Sequence, residues 1–99
     1  MMEFRVSAKA LKDLRAIGRY TQRKWGKDQR NKYLSMLDAG FHTIAHSPEV
    51  GINCEYIRSG YRKYHVGRHL IFYRHRKLYI EIIRILHDRM DISRHFRVR

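Results

Sequence analysis

Cysteine, proline and acidic side chains are all scarce in this chain: one Cys, one Pro, and nine Asp and Glu against twenty-two Lys and Arg. With Cys54 alone there can be no intrachain disulfide and no thiolate zinc cage, and a free thiol is ordinary in a reducing compartment. A single proline beside 43% hydrophobic and 12% aromatic residues excludes the disordered and low-complexity classes. Long apolar runs are missing as well. Stretches such as Leu70 to Tyr73 are far too short to span a bilayer, and the start MMEFRVSAKA lacks the basic-then-apolar order of a secretion signal. No membrane partner is expected, and the expected location is cytoplasmic. Glycine-rich phosphate loops are absent, and there is no G-x-S-x-G around any serine.

What the chain does have is positive charge, formally +13 with seven further histidines. An acidic partner follows, whether nucleic acid, protein or membrane surface. Ninety-nine residues bury only ~60–68% of the unfolded surface and leave no material for a second core, so residues 1–99 are read as one domain.

The apolar pattern gives the order of elements. Glu3 to Val6 alternates as a short strand, and Ser7 can cap a helix beginning at Ala8. Leu11, Leu14, Ile17, Gly18, Thr21 and Trp25 recur at three- and four-residue steps, which places them on one helical stripe. Gly26 suits a C-cap. From Asp28 a second helix carries Leu34, Leu37, Phe41, Ile44 and Ala45 and stops at Ser47-Pro48. Pro48 to Gly60 has no clean period and reads as a long connection. The period then becomes two: Tyr61 to Val66, a turn at Gly67-Arg68, His69 to Arg74, and Leu78 to Leu86, where the Ile82-Ile83 pair breaks alternation as a bulge would. The tail from about 92 to 99 is basic, with a helical turn near Met90 to His95. The fold class is therefore α+β: a two-layer β-αα-β-β-β arrangement with a largely antiparallel sheet packed on a helical hairpin. Leu14, Trp25, Leu37, Phe41, Phe72 and Ile82 are expected between the layers.

Three groups of side chains invite a functional reading. Lys12, Arg15, Arg19 and Arg23 form a cationic stripe beside the apolar one, and like charges at that spacing repel by a few tenths of a kcal/mol per pair. An acidic segment laid along the helix would relieve that repulsion; the plainer alternative is a solvated helix face. Arginines and histidines interleave with Tyr61, Tyr64, Tyr73 and Tyr79 in the second half, a mixture suited to phosphate contact, base stacking or a protein surface. Finally, His42 and His46 are one helical turn apart but lack the glutamate of a zinc-protease helix and a third ligand, so no metal and no cofactor is expected. His87, beside Asp88 and Arg89, has the chemistry of an acid or base, and equally that of a hydrogen-bonded strand-end imidazole.

Several stretches together resemble a known family. Ile57-Arg58-x-Gly60-Tyr61-Arg62-Lys63, His69-x-Ile71-Phe72-Tyr73-Arg74 and Ile82-x-Arg84-Ile85-Leu86-His87-x-Arg89-Met90-Asp91 resemble the ParE branch of the RelE/ParE toxins. Ala10-x-x-Asp13-Leu14-x-x-Ile17 and Trp25-Gly26 with Gln29-Arg30 extend the similarity over about residues 4 to 96. The resemblance implies a toxin of a type II toxin-antitoxin pair that inhibits DNA gyrase and blocks replication without being a catalyst. It also implies a ParD-like antitoxin whose acidic C-terminal segment folds around the toxin, with operator DNA met only through the toxin-antitoxin complex. On that reading His87, Arg89, Arg94, Arg97 and Arg99 contact the target, and Lys12, Arg15, Arg19 and Arg23 contact the antitoxin. The RelE branch instead cuts messenger RNA on the ribosome, and in that alternative Lys63, Arg84 and His87 would be the catalytic set.

Overall fold

A computed structural model describes residues 2–96. Its elements are β1 (Glu3–Val6), α1 (Ala8–Trp25), α2 (Lys27–His46), β2 (Ile52–Asn53), β3 (Tyr61–Val66), β4 (His69–His75) and β5 (Tyr79–His87), with short 3-10 turns at Pro48–Val50 and Ile92–Arg94. The five strands form one sheet in the order β1-β5-β4-β3-β2. Only β1 runs parallel to its neighbour, pairing Glu3 with Tyr79 through Val6 with Ile82. The other three pairings are antiparallel.

Local chemistry sets the boundaries. The Ser7 hydroxyl accepts the Ala10 N–H at 3.0 Å and so caps α1, while donating to the Ile83 carbonyl at 2.8 Å. Ser7 thus starts the helix and ties it to the sheet. Gly26, at φ +95°, ends α1 and opens α2 in a single residue, a left-handed conformation that a Cβ would strain. The β4–β5 register shifts between Phe72 and Tyr73, which pair with Arg84 and Ile82 and leave Ile83 as the extra residue. The bulge read from Ile82-Ile83 is therefore present. Beside it, α1 takes up a backbone donor of β5, because Asp13 accepts the Ile85 N–H at 2.9 Å.

The helical hairpin covers one sheet face, where Leu37, Phe41 and Ile44 meet Ile71, Tyr73, Ile80 and Ile82. Strand alternation sends the neighbours of these residues to the other face. There Phe72 joins Cys54, Ile57, Tyr61 and Leu86 in a second cluster, covered by Ile92 and Phe96. Phe72 is buried as expected, but beneath the loop after β2 and the tail rather than beneath the helices. Trp25 is a second correction. It is 64% exposed, and Leu11 is 42% exposed. The helical stripe drifts around the cylinder, so the buried residues of α1 are Ala10, Gly18 and Thr21: Ala10 joins the helix-side core, against which Leu14 and Ile17 pack partly, and Gly18 faces Leu34 and Arg30 of α2. The stretch Pro48 to Gly60, read as bare connection, contains a 3-10 turn and the short β2. It is pinned by the buried Tyr73 phenol, which donates to the Pro48 carbonyl at 2.6 Å and accepts the Gly51 N–H at 2.9 Å. A Cβ at Gly51 would stand 2.5 Å from that oxygen, so only glycine fits.

Candidate functional site

The two flanks of α1 present different chemistry. Lys12, Arg15, Arg19 and Arg23 are all exposed, and among the described residues none has an acidic side chain within ion-pair distance. Arg15 and Arg19 border a groove of about 550 Å³ between the helices, floored by Leu14, Leu34 and Phe41, with Arg30 and Asp38 also on its wall. Lys12 and Arg23 extend the charge beyond the groove. The stripe has cations at the rim and apolar side chains beneath, which suits an acidic amphipathic segment.

On the other flank Ile17, Tyr20 and Trp25 of α1, Tyr33 of α2 and the ends of β4 and β5 enclose a cleft of about 1010 Å³. His87 and Arg89, singled out from the sequence, line it together with Arg68 and His69. Tyr20 is 52% exposed. The Lys24 ammonium sits over both exposed rings of this flank, 5.7 Å from the Tyr20 centroid and 5.6 Å from that of Trp25.

The polar end of the cleft is a connected set. The Tyr33 hydroxyl accepts the Arg68 N–H at 3.0 Å and pairs with His69 Nδ1. Burial pushes the His69 imidazole down to about 4, with His87 acting in the same direction against the pull of Asp88 and Asp13. Burial also pushes the Tyr33 phenol up. At neutral pH His69 is therefore uncharged, and its Nδ1 shares a single hydrogen bond with the Tyr33 hydroxyl. The His69 and His87 rings meet edge to face with centroids 5.3 Å apart. His87 Nδ1 accepts the Arg89 N–H at 3.1 Å, and Asp88 lies between His87 and His65, at 3.3 Å from each.

The residues of the ribonuclease alternative do not converge. Arg84 is held by Asp13 through two hydrogen bonds of 2.9 Å, and its guanidinium is raised above its ordinary value chiefly by that bonding. Its fork already has a carboxylate partner, as a tie between α1 and β5. Lys63 pairs across with Phe72 on the outer face. His87 pairs with His69, which pairs with Val66 on the helix side. Lys63 and His87 thus lie on opposite faces of the sheet. Arg94 is exposed on the tail, 3.9 Å from Asp91, while Arg97 and Arg99 fall outside the described residues. Among the described residues no cluster of three metal-ligating side chains occurs.

Sequence reasoning missed Tyr20, Trp25, Tyr33, Arg68 and His69 as parts of one site. Trp25 and Tyr20 carried a signal, as large aromatics near the end of a cationic helix. Tyr33 and His69 carried none, being thirty-six residues apart and joined only by the fold.

A helical hairpin on a mixed five-stranded sheet is also the fold of a solved structure titled "Chromosomal ParDE TA system from P. aeruginosa". That match has a TM-score of 0.76 at 20% identity and covers 88% of this chain and 96% of that one. The sequence carries the comparison further. The family described as "ParE toxin of type II toxin-antitoxin system, parDE" matches residues 4–92. Toxin ParE1 of Caulobacter vibrioides is 38% identical over 96% of this chain and 98% of its own length. Toxin ParE1 of Mycobacterium tuberculosis is 39% identical over 90% and 92%, and toxin ParE of Escherichia coli 30% identical over 93% and 90%. The chain belongs to the ParE toxin family of type II toxin-antitoxin systems.

Proposed function

We propose that this toxin acts by binding DNA gyrase, stalling it on cleaved DNA, and that a ParD-like antitoxin neutralises it. The observation that carries this reading over message cleavage is the Asp13–Arg84 ion pair, which occupies the arginine a ribonuclease would need; strand register separately puts Lys63 and His87 on opposite sheet faces. His87, Arg89 and Arg94, with Arg97 and Arg99 beyond them, would contact the target. Lys12, Arg15, Arg19 and Arg23 would draw in the acidic antitoxin segment, whose apolar residues would anchor over Leu14 and Leu34. Operator DNA would be met through the antitoxin complex alone. The site of action would be the cytoplasm, where gyrase works; no described helix is long and apolar enough to cross a membrane.

Expression of the toxin in growing cells tests the reading. DNA synthesis should stop and chromosome breaks accumulate while translation continues, and co-expressed antitoxin should prevent both. Translation failing before DNA synthesis would refute it.

A further inference from the structure

Two aromatic rings stand open on a flank of α1 to which the functional reading gives no role. Trp25 is 64% exposed and Tyr20 52%, so neither does much for the core, and rings of this size left in water forgo burial that would stabilise the fold. An open pair of this kind marks a contact surface. Lys24 ties the rings together: its ammonium donates to the Tyr20 hydroxyl at 3.3 Å and lies 5.7 Å and 5.6 Å from the Tyr20 and Trp25 centroids.

The cleft that these rings line also takes in Ile17, Met90 and Arg68, and no acidic side chain lines it. Lys24 and Arg68 are exposed, and among the described residues neither has an acidic side chain within ion-pair distance. Arg68 is fixed on both sides of its backbone. Its N–H donates to the Tyr33 hydroxyl at 3.0 Å, and its carbonyl accepts the Asp88 N–H at 2.8 Å. Open rings beside cations without counter-ions fit a ligand that carries flat apolar faces and negative charge in alternation.

We propose that this cleft is a stacking site for single-stranded DNA: bases lie on Trp25 and Tyr20 while the phosphates between them meet Lys24 and Arg68. Base faces are open in a single strand but covered by neighbouring bases in a duplex, so the site prefers unpaired DNA. An acidic peptide brings charge without flat faces, and the antitoxin segment is seated by the reading above over the groove on the other flank. DNA is chosen over RNA because the proposed action stations the toxin at cleaved DNA, and on that point alone the proposal rests on the functional reading.

Trp25 is the sole tryptophan of the chain, so its emission reports the site directly. Titration of the full toxin with oligothymidylate of about eight nucleotides should quench that emission saturably, with binding that weakens as salt rises. Inorganic polyphosphate and oligoglutamate carry charge without rings and should leave it unquenched. In Trp25→Ala, followed by the anisotropy of a labelled strand, binding should weaken roughly 5- to 150-fold, the range for one lost base stack. Arg68→Gln should flatten the slope of log affinity against log salt by ~0.7, the share of one phosphate contact. Equal quenching by polyphosphate or by oligoglutamate, undiminished binding by Trp25→Ala, or tighter binding of the duplex or of matched oligouridylate overturns the proposal. Because the toxin is tested alone, each of these leaves the gyrase reading standing, and a failure to trap gyrase would refute that reading without altering the quenching.

Discussion

Asp13→Ala should be among the most damaging single substitutions outside the apolar core. Asp13 is only 14% exposed and Arg84 16%, and the carboxylate accepts three hydrogen bonds, two from the guanidinium and one from the Ile85 N–H. Alanine would leave a largely buried cation without its counter-ion and a backbone N–H beside the bulge without an acceptor. Breaking a buried pair from one side costs ~3–5 kcal/mol, and the residual exposure puts this pair at the low end, about 3 kcal/mol. For a domain of this size that is a fall of roughly 12–24 °C in Tm. Asp13→Asn, which keeps one acceptor for Ile85, should lose less. Asp13→Asn combined with Arg84→Met should recover part of the loss seen in Asp13→Ala, since it removes the stranded charge. Thermal and urea unfolding of the four proteins reads these differences. An Asp13→Ala protein melting within about 3 °C of wild type would refute the view of Arg84 as a structural tie, and with it the inference that this arginine is withheld from chemistry.

Phe41→Ala should cost ~3–5 kcal/mol because Phe41 is 3% exposed between helix and sheet; Trp25→Ala should change stability by no more than ~0.5 kcal/mol. Equal losses in the two variants, measured by urea unfolding, would contradict the assigned faces. Charge reversal at Arg15 and Arg19 should slow antitoxin association and flatten its salt dependence while leaving Tm unchanged, as stopped-flow mixing would show. His69 titrates near about 4 in the fold but near ~6.5 when unfolded. Between those values the unfolded chain binds the extra proton, so stability should fall as pH drops from about 6.5 towards 4 and the His69 share should then level off. His69→Gln should remove that share of the slope in acid unfolding curves.

Much of the architecture was legible because it is written in short-range chemistry. Ser7, Gly26, Pro48 and the Gly67-Arg68 turn each mark a boundary through their own backbone preferences, and the Ile82-Ile83 break in alternation marks the bulge. What was not legible depends on pairings between distant segments. Alternation says that Phe72 and Tyr73 face opposite ways but not which of them meets the helices, and a five-turn stripe that points Trp25 at the core cannot say where the sheet ends beneath it. The parallel pairing of β1 with β5 and the two-residue β2 leave little trace in so few residues. At the site, His87 and Arg89 stood out as a local motif. The cleft around them is built by α1, α2 and the β3–β4 turn together, and the structural role of Arg84 emerges only with Asp13 opposite it, a pairing that spans most of the chain.

The central claim, that this toxin acts on gyrase and not on messages, is tested most directly by one preparation divided in two. One half is incubated with gyrase, ATP and supercoiled plasmid, the other with translating ribosomes whose message is mapped by primer extension. Linear plasmid in the first and intact message in the second is the predicted result. Message cut over many turnovers, with that cutting lost by ~10²-fold or more in His87→Ala, would contradict it.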